Sequence, residues 1–287
     1  MNRNYLTHSL ILLVATAIFA LEYISLEWSS AGPLWTIELS LIASTILIVP
    51  FFPWKSFKAW DISLSCGLLF GIFLFLQAFS LKYTSINKSA FLISASVLFI
   101  PVIGRMFGNR RTTLIEYATC LVGLIGIAIM CKPTVDDINF GDVAAFMAAL
   151  SLAGYTIAID RAVEKVTDMW TFSLAQLIVA TLVSLPLVVM TEPALPIVRP
   201  LLPNIANILF IAVACNFIAS YLRNRSQEVL RPTTVGIVVL FESPLALLFS
   251  WVMISQKPEG HEILGAVIII FCTLFAVGIA SKNQAEI

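Results

Sequence analysis

The sequence predicts an all-α integral membrane protein: ten transmembrane helices arranged as two inverted five-helix repeats. Three observations lead there. Of 287 residues, 59% are apolar and 12% charged, when a soluble domain of this size carries roughly a quarter charged residues. A larger soluble core cannot absorb the deficit, because any such core leaves a wide polar surface to cover; lipid must stand in for water. The apolar residues also fall into ten runs near the roughly 20 residues a helix needs to cross about 30 Å of hydrocarbon. Finally, the runs divide into two sets of five with a shared internal pattern.

Taken in order, the runs cover roughly 6–27, 34–53, 61–81, 88–107, 113–131, 142–160, 169–190, 204–222, 233–254 and 262–280. They are too long and too uniformly apolar for the alternating strands of a barrel. The first follows a basic start, as a signal peptide would, but runs into Glu22 without a small-x-small cleavage site and reads as a retained span. SSAGP at 29–33 separates it from the second, and PWKSFK at 53–58 closes the second. KYTSINKS at 82–89 turns the third into the fourth, GNRRTT at 108–113 the fourth into the fifth, and KPTVDDINFGD at 132–142 joins the halves. In the second half, polar residues around Arg161 and Lys165 end the sixth span, and EPALPIVRPLLPN at 192–204 ends the seventh. YLRNRSQEVLRPTT lies between the eighth and ninth, and SQKPEGHE at 255–262 precedes the tenth. The expected division is a first repeat over 1–131, a linker over 132–141 and a second repeat over 142–287.

Basic residues gather on the cytoplasmic side of membrane proteins. With the N-terminus inside, that side holds Arg3, Lys55, Lys58, Arg105, Arg110, Arg111, Arg161, Lys165, Arg223, Arg225, Arg231 and Lys282. The other side holds Lys82, Lys88, Lys132, Arg199 and Lys257. Both termini are therefore expected in the cytoplasm.

The corners KYTSINKS and EVLRPTT each lead into an apolar helix carrying a proline, Pro101 or Pro244, and a closing helix rich in small residues follows each. Because five is odd, the second set enters the membrane inverted relative to the first. Repeats of this kind place a substrate site near the mid-membrane where they meet. The corners read as hinges and caps for the cavity-lining helices.

Acidic side chains within lipid are costly and usually face a cavity or a partner. Glu22 lies in the outer third of span 1, Glu38 at similar depth in span 2, and Glu242 near the middle of span 9. Glu22 and Glu242 are candidates for binding a cationic group or carrying a proton. The alternative for Glu242 is a helix-packing group near the carbonyls freed by Pro244; for Glu22 and Glu38 it is an acid reaching headgroup water. Gln77, Ser94, Ser96, Tyr155, Gln176 and Asn216 are candidate cavity residues, though such groups also serve as interhelical hydrogen bonds. Arg223 and Arg225 read first as an orientation signal, second as a gate pairing with Glu228 or an anionic substrate. The glycine pair Gly67 and Gly71, like Gly123 and Gly126, suggests close helix packing.

The stretches GLLFGIFLFLQAFSLKYTSINKSAFLISASVLFIPVIGRMFGNRRT, ATCLVGLIGIAIM, FGDVAAFMAALSLAGYTIAIDRAVEKV and QEVLRPTTVGIVVLFESPLALLFSWVMISQKP resemble the EamA family of the drug/metabolite transporter superfamily, over nearly the whole chain. The resemblance implies ten helices in two inverted repeats, and export or exchange of small metabolites such as amino acids or amines. It also implies a central cavity lined by spans 1, 3, 4, 6, 8 and 9, with spans 5 and 10 behind. The chain departs from the family pattern at three places. FALEYIS stands where a Trp-Gly-Ser/Thr run is frequent, TIELSLIA where an arginine is common, and Ser243 separates Glu242 from Pro244.

Other chemistry is excluded or unsupported. The two histidines, His8 and His261, form no HExxH, and the chain has no GxSxG, Walker loop or GxGxxG. ATP-driven pumping within this chain is thus excluded. Cys66, Cys120, Cys131, Cys215 and Cys272 all fall in apolar runs without metal spacing, and read as packing residues. No cofactor or metal is expected, and a formal net charge of +0 gives no sign of nucleic acid. The expected partners are a small-molecule substrate, the bilayer and protons; a homodimer is compatible with the sequence. The expectation is a secondary carrier in a bacterial inner membrane, not an enzyme, with an uncoupled exchanger or facilitator as the alternative. An integral-membrane enzyme using Glu22 and Glu38 is the rival from another class.

Overall fold

The computed structural model describes residues 3–54, 57–107, 113–132, 138–196, 200–255 and 257–283, with no strand among them. Lys55, Arg110, Arg111 and Arg199 of the charge argument lie outside the described residues, as do the side chains of Arg3 and Lys282.

Among the described residues, ten helices are long and apolar enough to cross a membrane. Spans 1 to 5 are Asn4–Leu26, Gly32–Phe51, Trp60–Tyr83, Ile86–Met106 and Leu114–Cys131. Spans 6 to 10 are Phe140–Val163, Met169–Thr191, Leu201–Ser226, Pro232–Met253 and Gly260–Gly278. Span 6 begins two residues inside the expected linker, because Asn139 and Asp142 cap it reciprocally and draw Phe140 and Gly141 into the helix. Span 8 runs past the expected end at 222, and its last turn carries Arg223 and Arg225. Thr113 and Glu116 form the matching reciprocal cap on span 5.

Three spans are irregular. Span 4 breaks at Ala95 into Ile86–Ser94 and Ser96–Phe107. Span 9 breaks at Leu240 and Phe241 into Pro232–Val239 and Glu242–Ile254. Both interruptions lie N-terminal to the prolines at 101 and 244. A proline lacks the N–H that closes the preceding turn and crowds the carbonyl four residues back. Span 8 carries a π-helical stretch, Ile211–Ala219, at its centre.

The principal contacts between the halves obey an exchange rule. Replace each span n by its counterpart five places along, and span 3 on 6 becomes span 8 on 1. Span 4 on 6 becomes 9 on 1, and span 3 on 7 becomes 8 on 2; all of these pairs pack. The pairs 2 with 7, 4 with 9 and 5 with 10 map onto themselves, and they pack too. One apolar cluster joins spans 2, 3, 6 and 7 through residues such as Leu41, Phe70, Tyr155 and Phe172. A second joins spans 5, 9 and 10 through Cys120, Ile127, Ile237 and Ile269. Small residues permit the closest approaches. A Cβ on Gly265 would lie 2.5 Å from the Gly126 carbonyl oxygen, so spans 10 and 5 meet backbone to backbone. The five cysteines are free and buried.

The polar corners tie span ends together. Ser85 caps the first part of span 4, accepting from the Lys88 amide. Asp142 at the head of span 6 receives Lys88 Nζ at 2.7 Å and the Thr84 hydroxyl at 2.7 Å. At the 8–9 corner, Tyr5 donates to Thr234 at 3.2 Å, and Arg231 approaches Glu116 at 3.4 Å. The Lys82–Glu192 pair is more exposed. Asp142→Ala should therefore cost several kcal/mol of stability by stranding a largely buried lysine, and Glu192→Ala less than about 1 kcal/mol. Thermal unfolding of both variants in one detergent checks the ranking; equal losses would refute it. At the 2–3 turn, Phe52, Trp54, Phe57 and Trp60 pack ring on ring, the type of aromatic anchor found at membrane–water interfaces.

Candidate functional site

A narrow cavity lies between the halves. Its walls come from spans 1, 3, 4, 6, 8 and 9. Spans 5 and 10 contribute nothing to it and pack against one another. Both helix breaks face it: Ser94 and Ser96 flank the break in span 4, and Leu240, Glu242 and Ser243 lie at the break in span 9.

Glu22, Glu242, Gln77, Ser94, Ser96 and Asn216 all line this cavity. Glu22 is 8% exposed and Glu242 partly buried, and neither has a hydrogen-bond or ion-pair partner among the described residues. Glu242 is within electrostatic range of both Glu22 and Arg223. Ser94 turns its hydroxyl to the Ala90 carbonyl at 2.7 Å. The Asn216 amide donates to Ser40 of span 2 at 2.9 Å, stitching the π-helical stretch to its neighbour.

Three candidates lie elsewhere. Glu38 is 1% exposed and sits in the apolar packing of span 2, away from the cavity. It stands three residues before Leu41, on the face span 2 turns to span 7. Tyr155 and Gln176 are fully buried behind the wall. The Gln176 amide donates to the Tyr155 hydroxyl at 3.0 Å, which donates in turn to Asn224 at 2.9 Å. Asn224 passes the chain to Ser173 at 3.0 Å. These are interhelical hydrogen bonds linking spans 6, 7 and 8.

Arg223, read from the sequence as an orientation signal or a gate, has its place in the cavity wall. It is 6% exposed and forms part of the cavity wall. Nη2 donates to Thr156 Oγ1 at 2.9 Å, the guanidinium carbon lies 5.2 Å from the Tyr155 ring centroid, and Nε has no partner. Its helix, Ser220–Ser226, continues span 8 beyond the π-helical stretch and carries the side chain to the cavity wall. Arg225, two residues on, points away and donates to Tyr221 at 2.8 Å. Neither arginine forms an ion pair with Glu228.

Sequence reasoning missed Tyr23, Thr156 and Ser243 in the wall, and Asn224 behind it. Helical phase from Phe19 and Leu152 would have found the first two, since each lies four residues further on.

Residues 139–278 match the EamA-like transporter family. An uncharacterized transporter of Archaeoglobus fulgidus is 24% identical over 80% of this chain and 82% of its own length. The S-adenosylmethionine uptake transporter of Rickettsia prowazekii is 23% identical over 85% of this chain and 82% of its own. Protein PecM of Dickeya dadantii is 24% identical over 76% and 73%. A solved crystal structure superposes with a TM-score of 0.79 at 14% identity, covering 99% of this chain and 100% of the other. That likeness shows the fold.

Proposed function

We infer that this chain belongs to the EamA family of the drug/metabolite transporter superfamily, and from that premise we propose a secondary carrier that exports or exchanges a small polar or amphipathic metabolite bearing an amine. One observation carries the reading: two carboxylates without protein partners among the described residues share a cavity whose six walls come equally from the two halves. A carboxylate in a lipid-embedded cavity wants a cation or a proton. Both Glu22 and Glu242 are placed to accept either.

Two inverted five-helix repeats, divided near 132–141, account for the exchange rule in the contacts and for the matching breaks in spans 4 and 9. Rocking of one repeat against the other would open the cavity to each face in turn. A bacterial inner membrane with both termini in the cytoplasm fits the distribution of basic residues. Two similar proteins are named for uptake of S-adenosylmethionine, an amino-acid derivative with an ammonium and a sulfonium, and such charges suit paired acids.

The test is flux of labelled amine-bearing metabolites into proteoliposomes across a pH gradient, for wild type, Glu22→Gln and Glu242→Gln. Losing a charged hydrogen-bond partner should cut gradient-driven flux roughly ten- to hundredfold and leave residual exchange. If neither substitution alters the pH response, these acids do not couple transport to protons. Trans-stimulation without any response to the gradient would identify an uncoupled exchanger.

A further inference from the structure

We propose that Arg223 is a specificity-determining residue that reads a carboxylate on the substrate, so that the cavity selects dipolar molecules over simple amines. The inference rests on the carrier reading above and adds a second charge requirement to it.

The argument begins with unmet valence. A guanidinium has five N–H donors and keeps its charge at any physiological pH. Arg223 is 6% exposed, yet its partners among the described residues are one threonine hydroxyl and the face of one tyrosine. Nε is buried and has no partner. Cations taken out of water are ordinarily matched by an anion, and no carboxylate of this chain forms an ion pair with Arg223 among the described residues. Glu242 borders the same cavity and feels the guanidinium without pairing with it. The surroundings hold Arg223 rigidly: Thr156 is itself fixed by its bond to the Leu152 carbonyl at 2.8 Å, and Tyr155 by Gln176 and Asn224. A fork fixed this way is organised in advance for planar, two-pronged recognition of a carboxylate.

Pairing of individual charges, not the net charge, selects the ligand. The cavity holds one cation and two acids with no pairing among them. A molecule with one ammonium and one carboxylate gives Arg223 its anion and the acids their cation. A plain amine leaves the guanidinium stranded. A dianionic phosphate would meet two carboxylates with one arginine to offset it, which disfavours that anion.

The experiment uses the full-length protein in detergent, with thermal shift as the readout. The twenty proteinogenic amino acids and S-adenosylmethionine are screened first. The best binder is then compared with its decarboxylated amine and its methyl ester, in wild type, Arg223→Lys and Arg223→Met. Wild type should bind the zwitterion about ten- to a hundredfold more tightly than either analogue, the range for a lost charge-assisted hydrogen bond. Arg223→Met should erase that preference by weakening the zwitterion alone, and Arg223→Lys should retain part of it. The analogue series in wild type decides the matter even if a variant fails to fold. Equal binding of zwitterion, amine and ester overturns the proposal, as does a loss in Arg223→Met that strikes all three alike. If amines bind and move in proteoliposomes while the carboxylate adds nothing, this inference falls and the carrier reading stands. If no amine or zwitterion is bound or moved, both fall.

Discussion

Gly71→Ala should lower the unfolding temperature by roughly 3–10 °C, while Gly154→Ala, on the neighbouring helix, should leave it unchanged or slightly raised. Both changes add a single methyl group to a transmembrane helix. At Gly71 that methyl would lie 2.7 Å from the Ala180 carbonyl oxygen and 3.0 Å from its Cα. Backbone cannot step aside as a side chain can, so span 3 must move off span 7 through an extensive contact between the halves. Overpacking of this kind costs about 1–3 kcal/mol, and each kcal/mol moves the midpoint by about 2–4 °C in a protein of this size class. At Gly154 the nearest atom is a leucine methyl at 3.7 Å, an ordinary contact. The better helix propensity of alanine is then uncontested. Thermal unfolding by tryptophan fluorescence, with size-exclusion profiles, reads the pair. Equal shifts for both would refute the packing argument.

Glu38→Leu should move stability the other way, raising the unfolding temperature by roughly 3–8 °C with transport preserved. Glu38 is 1% exposed, and neither carboxylate oxygen has a hydrogen-bond partner. The Ser184 hydroxyl is near enough to favour the charged carboxylate but makes no well-formed hydrogen bond to it, and reaches the Thr181 carbonyl only at 3.5 Å. A buried polar group without a partner costs about 1–3 kcal/mol, and replacing it with a packed apolar group of similar volume recovers that cost. Because Glu38 lies off the cavity, flux should survive. A fall in unfolding temperature would contradict the account. Loss of transport at unchanged stability would place Glu38 in the transport cycle instead.

These two residues mark where sequence reading works and where it stops. The ten spans were legible because lipid imposes one length and one composition on every crossing, and the loop chemistry between them is loud. The packing role of Gly67 and Gly71 was legible because small residues four apart share a helix face. The side of a helix on which a lone acid falls was not legible. Glu22 and Glu38 have the same apparent depth and the same chemistry, yet one borders the cavity and the other faces span 7. A uniformly apolar helix gives no amphipathic stripe from which to read its rotation. The cavity place of Arg223 was hidden for a different reason: polar residues at 223–226 ended the expected span at 222, while the chain continues as helix and carries the guanidinium to the cavity wall. Tyr155 and Gln176 were named as candidate cavity residues, with interhelical hydrogen bonding as the alternative, and they stand behind the wall as hydrogen-bond partners. Only the three-dimensional arrangement of spans 6, 7 and 8 could decide between the two.

The π-helical stretch in the middle of span 8 bears on that guanidinium. Wide turns of this kind recur at functional positions in helices, and here the stretch sends Cys215 to the Ile18 carbonyl of span 1 and Asn216 to Ser40 of span 2. Tightening it to ordinary α pitch would twist everything beyond Ala219 about the helix axis, with no hydrogen-bonded turn lost. Such a twist would turn Arg223 relative to the cavity wall, so the slack in the ladder of span 8 sets the direction of that positive charge.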